Sequence, residues 1–252
     1  MILVTSENLA SRLHFSEIKS FEMEEFRGRH LRMLRQALDR QHDKVLLPTQ
    51  RVLAFTEVIE ESINPDSCDR VALMEGLTIF DLWHLVTMQW GATTVPMSLN
   101  GACTSPIYSF SRDGQRGDVF SHADLPFGST VEAVNACGGR AESFLTIDDI
   151  EVTMLDVDKA AAPEGLELIK PPTLAALMRD ATLSVDNKFD ILSLCLQEYD
   201  LDELTPKQFM DASRWYNGIQ HGVRNIGIAH CNKCARTMPI EWRIGLETFI
   251  GG

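Results

Sequence analysis

The sequence predicts an α+β protein, with a helical N-terminal region, a β-rich middle and a helical C-terminal region ending in a Cys-x-x-Cys β-hairpin knuckle. Three observations predict this. Apolar residues fall at helical spacing before Gly91, glycine-punctuated β-branched segments follow it, and helical patterning returns beyond Pro171-Pro172. The regions so marked are 1–90, 91–162 and 163–252.

In the first region, Phe21, Phe26, Leu31, Leu34 and Leu38 predict a helix over 21–38, with acids ahead of bases as the helix dipole prefers and a weak point near Gly28. Pro48 opens a second helix with Val52, Phe55, Val58, Ile59 and Ile63 on one face, and Asn64-Pro65-Asp66 stops it. Thr78 caps a third, in which Phe80, Leu82, Trp83, Leu85, Val86, Met88 and Trp90 leave little polar surface, so it is expected at the centre of the core. Asp81 and His84 interrupt this run, which is too short to span a bilayer.

Strands are expected at 93–99, 107–110 and, most clearly, 144–157. The polar stretch Ser111 to Gly128, with Asp113-Gly114 and Arg116-Gly117-Asp118, reads as a long exposed loop. Past Pro163 and Pro171-Pro172, helices are expected at 173–181, 187–199 and 206–219. From Val223 a strand leads into the knuckle His230-Cys231-Asn232-Lys233-Cys234 and returns over 240–244.

The net charge of −13 across 252 residues excludes a chain whose main work is holding nucleic acid, because that affinity comes from Lys and Arg neutralising phosphates. An acidic surface suits solubility and a basic or aggregation-prone protein partner. Met1 to Glu7 turns polar too soon for a signal peptide, and Glu22, Glu24 and Glu25 stand where a transit peptide avoids acids, so an intracellular chain is expected. A nucleophile elbow, a phosphate-binding glycine loop and a His-Glu-x-x-His helix are all missing, and the chain is not expected to be an enzyme. The adjacent acids Asp148-Asp149 and Glu60-Glu61 point in different directions and read as solvated, while His14, His30, His42, His84 and His122 are scattered.

Six cysteines without a dense framework point to free thiols or a metal site before disulfides. Cys231-x-x-Cys234 is the strongest signal, since two thiolates in a tight turn can face one tetrahedral ion such as a structural zinc. That pair is half a ligand set. Candidates for the rest are Cys103 and Cys137, each in a turn-like setting, or His221 and His230, and spacing forces none of them. Pro106 and Arg140 occupy the positions where a second cysteine would complete a knuckle after Cys103 and Cys137. Reduced thiols without metal are the alternative; a thioredoxin-like pair fits poorly because no strand-to-helix turn holds it. Cys68 reads as a turn residue and Cys195 as core.

The string Trp215-Tyr216-Asn217-Gly218-Ile219-Gln220-His221-Gly222, then a strand, then Cys231-Asn232-Lys233-Cys234 and Pro239 to Phe249, resembles the baseplate hub assembly proteins of T-even-type contractile-tailed phages. In that family a helix ends in Trp followed by His-Gly, a Cys-x-x-Cys knuckle comes next, and the chain closes on an aromatic residue. The Asp81-Leu82-Trp83 helix, the cysteine-bearing β region and Ile147-Asp148-Asp149-Ile150 follow the same layout. A single Phe249 stands where the family tends to double the aromatic, and the first cysteine knuckle departs from the pattern. The resemblance implies a role in virion assembly, through binding to hub, spike or tape-measure proteins, in the host cytoplasm or within the tail baseplate, without a catalysed reaction. Two alternatives stay open: a zinc-ribbon-type intracellular adaptor, motivated by Cys231 and Cys234 alone, and an enzyme of unrecognised class using Asp148, Asp149, His221 or Cys231.

Overall fold

A computed structural model describes residues 1–41, 48–91, 97–180, 184–185, 187–224 and 226–241. Its elements in chain order are β1 (Ile2–Thr5), β2 (Ser20–Met23), α1 (Gly28–Asp39), α2 (Pro48–Ser62), α3 (Arg70–Gly76), α4 (Ile79–Gly91), β3 (Met97–Ala102), β4 (Pro106–Arg112), β5 (Gln115–Val119), β6 (Thr130–Ala136), β7 (Arg140–Leu145), β8 (Val152–Thr153), α5 (Leu174–Arg179), α6 (Lys188–Cys195), α7 (Pro206–Gly218), β9 (Gly222–Val223), β10 (Ile226–Cys231) and β11 (Thr237–Glu241). The described residues group into two compact units. Residues 1–91 and 151–224 belong to the first, 97–150 and 226–241 to the second.

The first unit is built on helix caps and an apolar core. Asp69, Thr173 and Asn187 each accept backbone N–H groups of the helix they precede, and Thr205 with Gln208 forms a reciprocal capping box ahead of Pro206. Phe21, Phe55, Ile59, Leu82, Leu85 and Trp90 are withdrawn from solvent, each large side chain contributing about 1.5–3 kcal/mol. Phe55 meets Trp83 edge to face at 5.4 Å. A second cluster gathers Leu155, Leu166, Ile169, Leu196, Trp215 and Ile219, with the Trp215 indole donating to the Ala160 carbonyl at 3.2 Å.

The polar interruptions of α4 face inward. Asp81 Oδ1 accepts from the Ser11 N–H at 3.0 Å, and Oδ2 accepts from the Thr78 N–H and hydroxyl, both at 2.9 Å. One turn on, His84 Nδ1 accepts from the Ala10 N–H at 3.1 Å. The two side chains therefore tie the irregular segment between β1 and β2 onto α4. Burial pushes the His84 pKa below its usual value, against the Asp81 carboxylate that raises it. His221 joins this group through Thr78 Oγ1 at 3.1 Å and the Ile219 carbonyl at 2.7 Å. Gly222 beside it has φ +98°, and a Cβ there would lie 2.4 Å from the Phe80 carbonyl oxygen.

The described residues of the second unit form strands, turns and two short 3₁₀ helices, at His122–Asp124 and Ile147–Asp149. A four-stranded antiparallel sheet runs β11-β10-β7-β3, and a three-stranded sheet runs β5-β4-β6. In β10 the side chains alternate strictly, with Ile226, Ile228 and His230 outward and Ala229 and Cys231 inward.

Several expectations are corrected. The C-terminal end is strand and not helix: after α7 the described chain continues in β9, β10 and β11, with Cys231 ending β10 and Cys234 in the turn that follows. The period-two alternation of 226–231 explains this. The first helix starts only at Gly28, because Phe21 and Met23 are buried in β2, paired with Val4 and Ile2. The expected strand 144–157 is broken after Leu145, where the Asp149 carboxylate accepts from the Thr146 N–H and hydroxyl and closes a 3₁₀ turn. The expected loop 111–128 contains β5. Asp113 and Gly114, with φ +50° and +78°, form the two-residue hairpin turn that joins β4 to β5. Parts of the expected strands 93–99 and 240–244 and of the helix 173–181, together with Phe249, lie outside the described residues.

Candidate metal centre

The second unit brings together Cys103, Cys137, Cys231 and Cys234, whose sulfur atoms all lie within 4.8 Å of one another. Two long-range pairings place them. β4 pairs with β6 so that Pro106 faces Ala136, which sets Cys103 and Cys137 side by side just beyond the paired ends. β10 pairs with β7 through Cys231 and Ala141, which carries the Cys-x-x-Cys turn to the same spot.

Backbone hydrogen bonds lock both halves. Cys103 N–H donates to the Gly139 carbonyl at 2.8 Å, Gly138 N–H to the Cys103 carbonyl at 3.1 Å, and Cys137 N–H to the Ser105 carbonyl at 2.8 Å. On the other side Cys231 N–H donates to the Arg236 carbonyl at 2.9 Å and Ala235 N–H to the Cys231 carbonyl at 3.0 Å, with Ala235 itself in the left-handed region at φ +56°. The halves are stitched by Asn232, which donates its N–H to the Arg140 carbonyl at 2.8 Å and accepts the Arg140 N–H on its side chain at 3.0 Å. Lys233 Nζ adds a bond to the Cys137 carbonyl at 3.0 Å. Gly139 is required by close approach: a Cβ there would stand 2.6 Å from Cys231 Sγ.

The sulfur spacing is informative. Cys103 and Cys234 are 3.7 Å apart and Cys137 and Cys231 3.8 Å apart, too far for disulfides at about 2.05 Å. A tetrahedron with metal–sulfur bonds of about 2.3 Å has edges of about 3.8 Å. The four thiols thus lie close enough together to hold a metal ion.

The local field favours one thiolate first. The Cys234 backbone N–H outweighs desolvation and, with the Lys233 N–H, lowers the Cys231 pKa to about 6. Hydrogen bonds from Ser105 lower that of Cys103. At Cys234 the Arg236 N–H favours the thiolate, but desolvation and the neighbouring sulfurs prevail and hold it at about 11. Negative charge on Cys231 discourages ionisation beside it until a cation arrives.

The other candidates fall elsewhere. His221 belongs to the first unit, hydrogen bonded to Thr78, and His230 is exposed on β10 opposite Glu142. Asp148 and Asp149 lie in the 3₁₀ turn after β7, where Asp149 serves Thr146. Cys195 is buried in the second apolar cluster of the first unit, which pushes its thiol up to about 12, and Cys68 stays apart, its thiol raised by burial. Sequence reasoning missed the supporting residues Gly139, Asn232 and Ser105; the Gly-Gly after Cys137 was the one local signal of a knuckle there. Comparison with known proteins finds no matching family model, no matching characterised protein and no matching solved structure, so the functional reading stands on the geometry of the four thiols and on the sequence itself.

Proposed function

We propose that the chain is a zinc-anchored binding protein that acts in the assembly of a contractile phage tail, at the baseplate hub. The carrying observation is the cluster of four thiols within 4.8 Å of one another, two pairs of them 3.7 Å and 3.8 Å apart. Thiolates favour zinc among the common divalent ions, and four protein ligands leave no open coordination position, which suits a structural role over a catalytic one. Such a site fixes a β unit where little apolar core is available, and a unit so fixed can present strands and loops to another protein. The hub assignment is supported by the terminal string from Trp215 to Gly222 followed by the Cys231–Cys234 knuckle. Its partners on this reading are hub, spike or tape-measure proteins, met in the host cytoplasm during assembly. The same four cysteines favour a second reading, a zinc-ribbon-type adaptor with no place in a tail.

Metal analysis by mass spectrometry on untagged protein, paired with co-expression alongside hub and tape-measure proteins, tests both parts. About one zinc per chain is expected, absent from Cys231→Ser, together with a stable complex with a tail protein. Metal-free wild-type protein would sink the zinc anchor. Zinc at full complement without binding to any tail protein would remove the hub placement and leave the adaptor.

A further inference from the structure

The first unit carries an open groove of about 410 Å³ between α6 and α7, floored by the core side chain Leu192 and by Phe209, which packs on the second apolar cluster. Phe189 and Phe209 stack in it with ring centroids 5.8 Å apart, and Leu192 and Met210 complete its apolar lining. Phe189 is 55% exposed and Met210 54%, although each helix already has an inward face: Ile191, Leu194 and Cys195 on α6, Ala212 and Trp215 on α7. These two side chains are therefore surplus to the fold.

The charge of the groove is as telling as its hydrophobicity. In a chain with 36 acids and 23 basic residues, the charged residues lining it are Lys188 and Arg214, both cations. Arg214 gives one N–H to Asp211 at 3.1 Å, an exposed pair that contributes little and leaves the other guanidinium donors available. The charges lining the groove thus oppose the sign of the chain's net charge.

A fatty acid or similar small amphiphile needs enclosure on most sides, which an open trough does not give. Two adjacent helices with exposed apolar side chains between them match the seat of a third helix. α6 and α7 extend for about 12 Å and about 20 Å, room for two to three turns of a partner. We propose that this groove docks an amphipathic helix of a partner protein. Apolar residues of that helix at i, i+3 or i+4, and i+7 would fill the space beside Phe189, Phe209 and Met210. Carboxylates flanking that stripe would reach Lys188 and Arg214. The inference needs neither the metal nor the phage assignment, since every residue it uses lies in α6 and α7.

The test is a displayed library of randomised peptides about 16 residues long, panned on the full chain with counter-selection on Met210→Glu. Enriched sequences are expected to share the apolar helical stripe with Asp or Glu beside it. Synthesised, they should bind Met210→Glu about tenfold or more weakly. A Lys188→Glu/Arg214→Glu variant should weaken them too and prefer versions with Lys in place of the acids. Both substitutions sit at the surface, and unchanged thermal melting of the variants confirms that the fold is kept. No enrichment, unpatterned or basic sequences, or peptides that bind Met210→Glu undiminished would overturn the proposal. So would saturable binding of dodecanoate with no peptide enriched, which marks a lipid site, or a wild-type dimer that Met210→Glu dissociates, which marks a second copy as the occupant.

Discussion

In the first unit the large side chains Phe21, Phe55, Leu82 and Trp90 are withdrawn from solvent, and Asp81 and His84 of α4 are buried with hydrogen-bond partners. In the second, every residue of β6 is exposed, and the cluster at the foot of its sheet is Cys103, Ile107, Cys137 and Cys231. Buried apolar side chains there are few and small, chiefly Leu99, Ile107, Ala141, Leu145 and Ala229, and three of the four residues of its buried cluster are cysteines. If the four thiols hold zinc as proposed, the contrast teaches that the two units draw their stability from different physics: one from removing apolar surface from water, the other from a coordination site that stands in for part of a core.

The sharpest way to break that contrast is to treat the protein with a chelator, which would remove the zinc proposed at the four thiols. Structural zinc contributes about 10–16 kcal/mol in small folded units, more than the whole margin of a typical domain. Chelation followed by amide hydrogen exchange should abolish protection in β3, β7, β10 and β11 while leaving α2 and α4 protected. Equal loss in α4 would show that the two units unfold as one and would end the comparison.

A smaller effect is expected from the converse experiment. Phe55→Ala leaves a cavity beside Trp83 in the first unit and should cost about 3–5 kcal/mol in denaturant unfolding. Zinc content should stay at its wild-type value. Loss of zinc in this variant would mean that the thiol site depends on the helical core.

The smallest expected effect is on acid sensitivity. Burial lowers the pKa of both His84 and His30 from 6.5, with Arg29 adding to the effect at His30 and His221 at His84. The unfolded chain then takes up protons that the folded unit refuses, so stability is complete above pH 6.5 and falls as pH drops below it. The melting temperature of the first unit should decline from pH 6.5 toward 5. His84→Asn, which keeps an acceptor for the Ala10 N–H but cannot titrate, should flatten part of the decline. An unchanged slope would place the acid sensitivity elsewhere.

Some of this was legible in the chain alone. Pro48, Thr78 and Pro206 announce helix starts that the structure contains, because a cap and the residues it serves lie within one turn. The hairpin at Asp113-Gly114 is equally local, yet the polar composition of 111–128 predicts a loop because it outweighs a turn signal two residues long. Asp81 and His84 looked like flaws in an apolar helix. They are buried because Ser11 and Ala10, far away in sequence, bring backbone donors to meet them.

By itself the sequence determined what depends on neighbours in the chain: the helix caps, the alternation of β10 and the tight turn that points Cys231 and Cys234 one way. Only the tertiary structure decided which thiols complete the set. Cys103 and Cys137 join through the register of β4 on β6, and His221 and His230 are left out by the same folding. The groove between α6 and α7 is likewise invisible in either helix alone. Pairings of this kind depend on packing across long separations in sequence, where no local periodicity or spacing carries the information.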